Sequence, residues 1–252
     1  MLANNFVESL NQKLFNTDNV PILQRLFRGR AVEKAQITMN LVESCVEIGG
    51  ELRGEVRLSA GQSGVQLDGV DVAVYLQQNT EDPLEGSQVC QLRISEGMFL
   101  PPDSNVTLNF KKKLPYSTPL SGEKCKYYVV ASCEAKRGEE RTRRELVVLP
   151  NSPLKLLKDA FKALGFKENT PTGEFINQCE VIRYIPTEFM SEVFSELKLF
   201  VGSKEKELNI TMEATDKQGG GRKQVKFLFP CASMQSLTQV TESFKRILNE
   251  VC

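Results

Sequence analysis

The 252-residue chain contains no histidine and no tryptophan, and its 32 Lys and Arg are matched by 32 Asp and Glu. Without histidine it lacks the commonest general acid/base, the side chain that titrates near neutral pH and the commonest zinc ligand. The balanced charge provides no basic field for nucleic acid, and the balance is local: eighteen basic and nineteen acidic groups in residues 1–150, fourteen and thirteen in 151–252. Without tryptophan, and with 8% aromatic residues, stacking platforms for single strands are also disfavoured. No apolar run is longer than five residues, as in Tyr127 to Ala131, far short of a membrane span. The opening MLANNFVESLNQ is broken by polar residues too early for a signal peptide. The seven cysteines, at 45, 90, 125, 133, 179, 231 and 252, include no CxxC and follow no metal-ligand spacing. Most of them, such as Cys90 and Cys133 in strand-like runs, read as small buried apolar residues of a reducing, cytoplasmic compartment.

What is present is periodicity. Leu2, Phe6, Leu10 and Leu14 recur every four residues, and Leu23, Leu26 and Phe27 continue after an Asn16–Asn19 break, giving an amphipathic helical segment over 1–34. It reads either as a helix docked on the body or as a membrane-surface or partner-binding helix. From 35 to 150 the period is two: Ile37/Met39/Leu41, Val56/Leu58, Val70 to Leu76, Cys90/Leu92/Ile94, Val106/Leu108/Phe110, Tyr127 to Ala131 and Leu146 to Leu149. Seven strands with turn chemistry between them and no helix predict an antiparallel β-sandwich. At Pro150 the pattern changes to a linker helix over 151–166, with Ser152 as N-cap, Leu154, Leu157, Phe161 and Leu164 on one stripe and Gly165 as the stop. Residues 167–252 form a second, smaller β-rich domain. Its strands lie in 175–185, 197–201, 208–214 and 225–229, and a C-terminal helix follows that is capped by Ser233 and carries Leu237, Val240, Phe244, Ile247, Leu248 and Val251. The segment 187–196 is compatible with a short helix or a loop.

The chemistry-bearing motifs are few. Glu139–Glu140 and Glu205/Glu207 lie in charged turns, where a solvated surface is the ordinary reading. Gly219–Gly220–Gly221–Arg222–Lys223 joins two strands, so it lacks the helix start and spacing of a phosphate loop. The remaining candidates are basic: Lys111, Lys112 and Lys113 at the end of one strand, and Arg137, Arg141, Arg143 and Arg144 in the next hairpin. If they meet at one end of the sandwich, they make a site for an anionic headgroup, a phosphorylated tail or an acidic partner segment. The competing reading is a self-neutralised loop.

Three stretches add a resemblance. Val46 to Leu58, with its Gly-Gly-Glu-x-x-Gly core, followed by Val70 to Leu76, resembles the opening hairpin of arrestin-type domains. Phe110 to Pro115 with Ser117-Thr-Pro-Leu-Ser121, and Glu145 to Pro150 running into Ala163-Leu-Gly-Phe166, are similar to the bacterial sporulation-control branch of that clan. The family's acidic stretch before the last motif is replaced here by the Lys136 to Arg144 loop. The resemblance implies a mainly β protein of two tandem arrestin-like antiparallel β-sandwich domains with N-terminal, inter-domain and C-terminal helices. It also implies a non-enzymatic regulatory or scaffold role. The expectation is a chain without cofactor or metal that binds protein partners, and not nucleic acid, through sheet edges, the inter-domain groove and the basic loop. The alternative is a peripheral adaptor that binds an anionic membrane surface by Leu2, Phe6, Leu10, Leu14, Leu23, Leu26 and Phe27.

Overall fold

The computed structural model describes residues 34–78, 86–136, 138–169, 174–218 and 221–251. The amphipathic segment read over 1–34 therefore lies, up to position 33 and with Leu2, Phe6, Leu10, Leu14, Leu23, Leu26 and Phe27, outside the described residues, as does Arg137.

In the first half every alternating segment is a strand: β1 (Gln36–Leu41), β3 (Glu51–Ser59), β4 (Val65–Gln77), β5 (Ser87–Leu100), β6 (Asn105–Lys113), β7 (Lys126–Ala135) and β8 (Gly138–Leu149). The short β2 (Cys45–Glu47) was not marked by the sequence pattern. The strands form two sheets, one ordered β1-β3-β6 and the other β2-β8-β7-β4-β5, and all pairs are antiparallel except β2 with β8. Alternation explains why they stack. Leu52, Val56 and Leu58 of β3 and Val70, Val72 and Val74 of β4 are buried, and with Met39, Val129, Ala131, Leu146 and Val148 they belong to one continuous core.

In the second half, β9 (Phe166–Glu168), β10 (Phe175–Ile176), β11 (Cys179–Pro186), β12 (Phe194–Ser203), β13 (Glu207–Asp216) and β14 (Arg222–Pro230) make one antiparallel sheet, with β9 and β10 both on the free side of β11. Its second layer consists of helices α1 (Ser152–Ala163) and α2 (Leu237–Val251), which pack on each other. The apolar stripe of α1 is buried, and Phe161 stacks on Tyr184 of β11 at 5.0 Å and 12° while touching Phe166 and Phe244. Phe244 of α2 stacks in turn on Phe229 of β14 at 5.2 Å. Such ring pairs contribute about 0.5–1.5 kcal/mol each beyond their burial. The helix between the two halves thus serves as part of the second core.

Three local readings need correction. Asn151, not Ser152, caps α1, because its side-chain oxygen accepts from the Leu154 N–H at 3.2 Å; Gly165 ends the helix at φ +78°. Ser233 closes a short 3₁₀ turn by donating to the Pro230 carbonyl, and Ser236 accepts from the Gln239 N–H at the start of α2. The stretch 175–185 is a tight hairpin: Asn177 and Gln178 both have positive φ and turn β10 back onto β11. Residues 187–193, left undecided by the pattern, are bends and turns before β12.

Candidate functional site

Strand β5 pairs with β4 on one side, and β6 pairs with β3. Among the described residues their opposite edges take no strand, so each offers unpaired backbone groups. The two edges flank a seam where the two sheets part. Cys90, Leu92, Ile94 and Met98 of β5 and Val106 and Leu108 of β6 pack against the core and remain half-buried. Lys112 continues the inward row of β6 past Phe110. Burial pushes the Cys90 thiol up, and the nearby Lys112 ammonium acts against that shift. The seam is therefore an apolar row with a cation at one end.

The structure does not bring the two basic clusters together. Lys111 to Lys113 close β6 in the three-stranded sheet, opposite Glu51 to Arg53, near the end where β2 meets Val147 to Leu149. Arg141, Arg143 and Arg144 lie on β8 in the other sheet, and the Arg141 end is beside Lys34 at the opposite end of the sandwich. The convergence expected of a single anion site is absent because the two runs sit on different sheets, with Arg141 toward the Lys34 end and Arg143 and Arg144 in the middle of β8. Half of their described charges are matched locally. Lys111 pairs with Glu51 at 2.7 Å, Lys113 with Glu205 at 3.0 Å and Arg141 with Glu139. Hydrogen bonding to Glu205 raises the Lys113 ammonium above its ordinary range, and hydrogen bonding to Arg141 holds Glu139 below the usual carboxylate range. Arg144 donates to the Arg143 carbonyl, and Arg143 lies 5.4 Å from the Tyr128 ring centre.

The carboxylates considered for catalysis are also engaged. Glu140 binds Lys34 at 2.6 Å and Glu207 binds Lys204 at 2.8 Å, so each acidic pair has a carboxylate taken up by a local cation. Among the described residues no three His, Cys, Asp or Glu are grouped to hold a metal, and no described helix is long and apolar enough to cross a membrane.

The Ser117–Ser121 segment lies at the junction of the two halves. The Tyr127 hydroxyl donates to the Pro119 carbonyl at 2.7 Å, and Ser121 accepts from the Val148 N–H at 2.8 Å. The Leu120 N–H donates to Glu180, a buried carboxylate of β11. Lys155 of α1 reaches Glu47 of β2 at 2.7 Å, and Lys113 reaches Glu205, so three polar links tie the first half to the second.

This arrangement of a sandwich, a helix and a helix-backed sheet can be compared with known proteins. The family model described as SpoOM protein matches residues 23–219. The chain belongs to the Spo0M family. The crystal structure of Spo0M, sporulation control protein, from Bacillus subtilis is 17% identical and covers 86% of this chain and 99% of its own, with a TM-score of 0.70. That likeness shows a shared fold with the Spo0M protein. Partial likenesses are the alkylpurine DNA glycosylase AlkC of Pseudomonas fluorescens (11% identity, 45% of this chain and 30% of that one, TM-score 0.32) and the CARDB domain of the PF1109 protein of Pyrococcus furiosus (14%, 46% and 89%, TM-score 0.31). No curated protein matches the chain. Spo0M membership agrees with the motif resemblance, since the matched residues include all three stretches that carried it.

The sequence reading missed the β5–β6 seam. Its only sequence signal is that β5, SQVCQLRISEGMFL, mixes polar residues into its apolar row, whereas Val70 to Leu76 of its neighbour is almost wholly apolar.

Proposed function

We propose that this member of the family is a non-enzymatic regulatory protein that recognises protein partners by accepting an extended segment along the β5 edge. The half-buried row of Cys90, Leu92, Ile94 and Met98 beside an unpaired strand edge carries this reading. An incoming strand gains main-chain hydrogen bonds from β5, and alternate apolar side chains enter the seam. Lys112 at its end favours an acidic residue in the partner. The basic groups on β8 add little to it, because β7 and β4 stand between β8 and the β5 edge.

Site-specific photo-crosslinking tests this in cells. A crosslinking residue in place of Gln91, on the β5 edge, is expected to capture discrete proteins. The same residue in place of Lys245, on exposed α2, is not, and Leu92→Lys should abolish the capture. Equal labelling at the two positions overturns the reading.

A further inference from the structure

The two sides of the second sheet end differently. The free side of β11 is covered by β9 and β10. Among the described residues no strand follows β14, and the backbone from Arg222 to Phe229 bonds to β13 alone. The shape of β14 does not blunt this edge. The strand pairs with β13 in one unbroken register without a bulge, and its proline is its last residue. What guards it is charge: RKQVKFLFP holds Arg222, Lys223 and Lys226 and no carboxylate.

Arg222, Gln224, Lys226 and Leu228 alternate on the outward face, and all four are exposed, Leu228 by 62%. Across on β13, Arg222 faces Thr215 and Lys226 faces Thr211. Among the described residues neither cation forms an ion pair. The carboxylates of β13 are engaged elsewhere: Glu213 accepts from Gln224 at 2.9 Å, Asp216 from the Gln218 N–H at 2.8 Å, and Glu207 holds Lys204. Lys198, the next cation across the face, lies over the Phe200 ring at 4.5 Å. Helix α2, which packs on β14 through Phe244, exposes Glu242 and Glu250 against Lys245 and Arg246 and so adds no net charge. On the inward face Val225 and Phe227 pack against the core but remain half-buried.

We propose that β14 takes up an acidic extended segment of a partner protein as an added strand, with carboxylates opposite Lys226 and Arg222 and an apolar side chain opposite Leu228. The incoming main chain pairs the free backbone groups, and its inward side chains cover Val225 and Phe227. Charge selects this occupant. An apolar strand would desolvate two cations without pairing them, and a basic strand would meet like charge. A second β14 offers no carboxylate in any register, and the antiparallel register centred on Gln224 sets Arg222 against Lys226. Outward positions recur every second residue, so the recognised pattern is an apolar residue with acids two and six positions from it. This edge belongs to the second sheet and the β5 edge to the sandwich, so the two readings stand or fall separately.

Fluorescence anisotropy on the full chain tests this with a labelled threonine-rich peptide that carries one valine and, two and six positions on, glutamates. Binding is expected with a dissociation constant of roughly 1 to 100 µM. Arg222→Glu and Lys226→Glu should each raise it at least about tenfold. The double variant should instead bind the peptide with lysines in place of the glutamates. Both positions are exposed, so thermal unfolding should stay unchanged, and Leu92→Lys on the β5 row should leave peptide binding intact. A wild-type chain that does not bind overturns the proposal, as does binding that withstands both reversals or that is equal for a peptide whose glutamates are moved by one position. Displacement of the peptide by phosphatidylserine vesicles would make the edge a membrane site, and a dimer lost on Lys226→Glu would make it a contact between copies; either result also overturns it.

Discussion

The Leu120 N–H donates to the Glu180 carboxylate across 3.3 Å, joining a loop of the sandwich to the first long strand of the second sheet. Glu180 is 8% exposed, so an apolar replacement leaves a buried donor short of its acceptor. Glu180→Leu should cost about 1–3 kcal/mol in urea unfolding, and Glu180→Gln, which keeps an oxygen in place, should cost less.

Tyr184 presents the opposite case. Its ring is stacked on Phe161, but its buried hydroxyl has no hydrogen-bond partner among the described residues, and burial pushes the phenol well above its ordinary range. Tyr184→Phe keeps the stack and removes the unsatisfied group, so it should raise stability by roughly 1 kcal/mol. An upward shift in Tm checks this, and a fall would mean that the hydroxyl is satisfied in solution.

Gly54 is required for close approach. A Cβ there would sit 2.5 Å from the Asn40 carbonyl oxygen and 2.6 Å from the Phe110 ring. The carbonyl belongs to the paired strand β1 and the ring to the packed core, so neither moves away easily. Gly54→Ala should destabilise the fold by about 1–3 kcal/mol, measured by chemical denaturation.

Arg183 holds Glu174 with two hydrogen bonds, at 3.1 and 3.2 Å, and keeps that carboxyl below its ordinary value of 4.5. A carboxyl with a lowered folded-state value contributes stability above pH 4.5 and loses it as pH falls through the lower folded value. Glu174→Gln should therefore be the less stable protein at neutral pH, and the difference should shrink progressively as the pH is taken below 4.5. Parallel unfolding curves across that range measure it.

How much of this was legible in the sequence depended on whether the signal was local. The alternation of Val56/Leu58 or Val70 to Leu76 is set by one buried face, and it marked the strands correctly. The α1 cap was misread by one residue because Asn151 and Ser152 are both good cap formers and only the backbone decides between them. The hairpin at Asn177–Gln178 was hidden because its two-residue turn lacks glycine and the strand before it is only two residues long. The site depended on sheet order. Lys111 and Arg141 are 30 positions apart in the chain, but nothing local says that β6 and β8 belong to different sheets. The free β5 edge follows from the same order, which is why alternation revealed the strand without its role.

The parallel pairing of β2 with β8 also constrains how the protein is made. Cys45–Glu47 cannot find Val147–Leu149 until about a hundred further residues have been synthesised, so the five-stranded sheet cannot close on a partial chain. The central strands β4 and β7 can pair earlier, as can β1 with β3, whereas β2 must wait for the end of β8 to leave the ribosome.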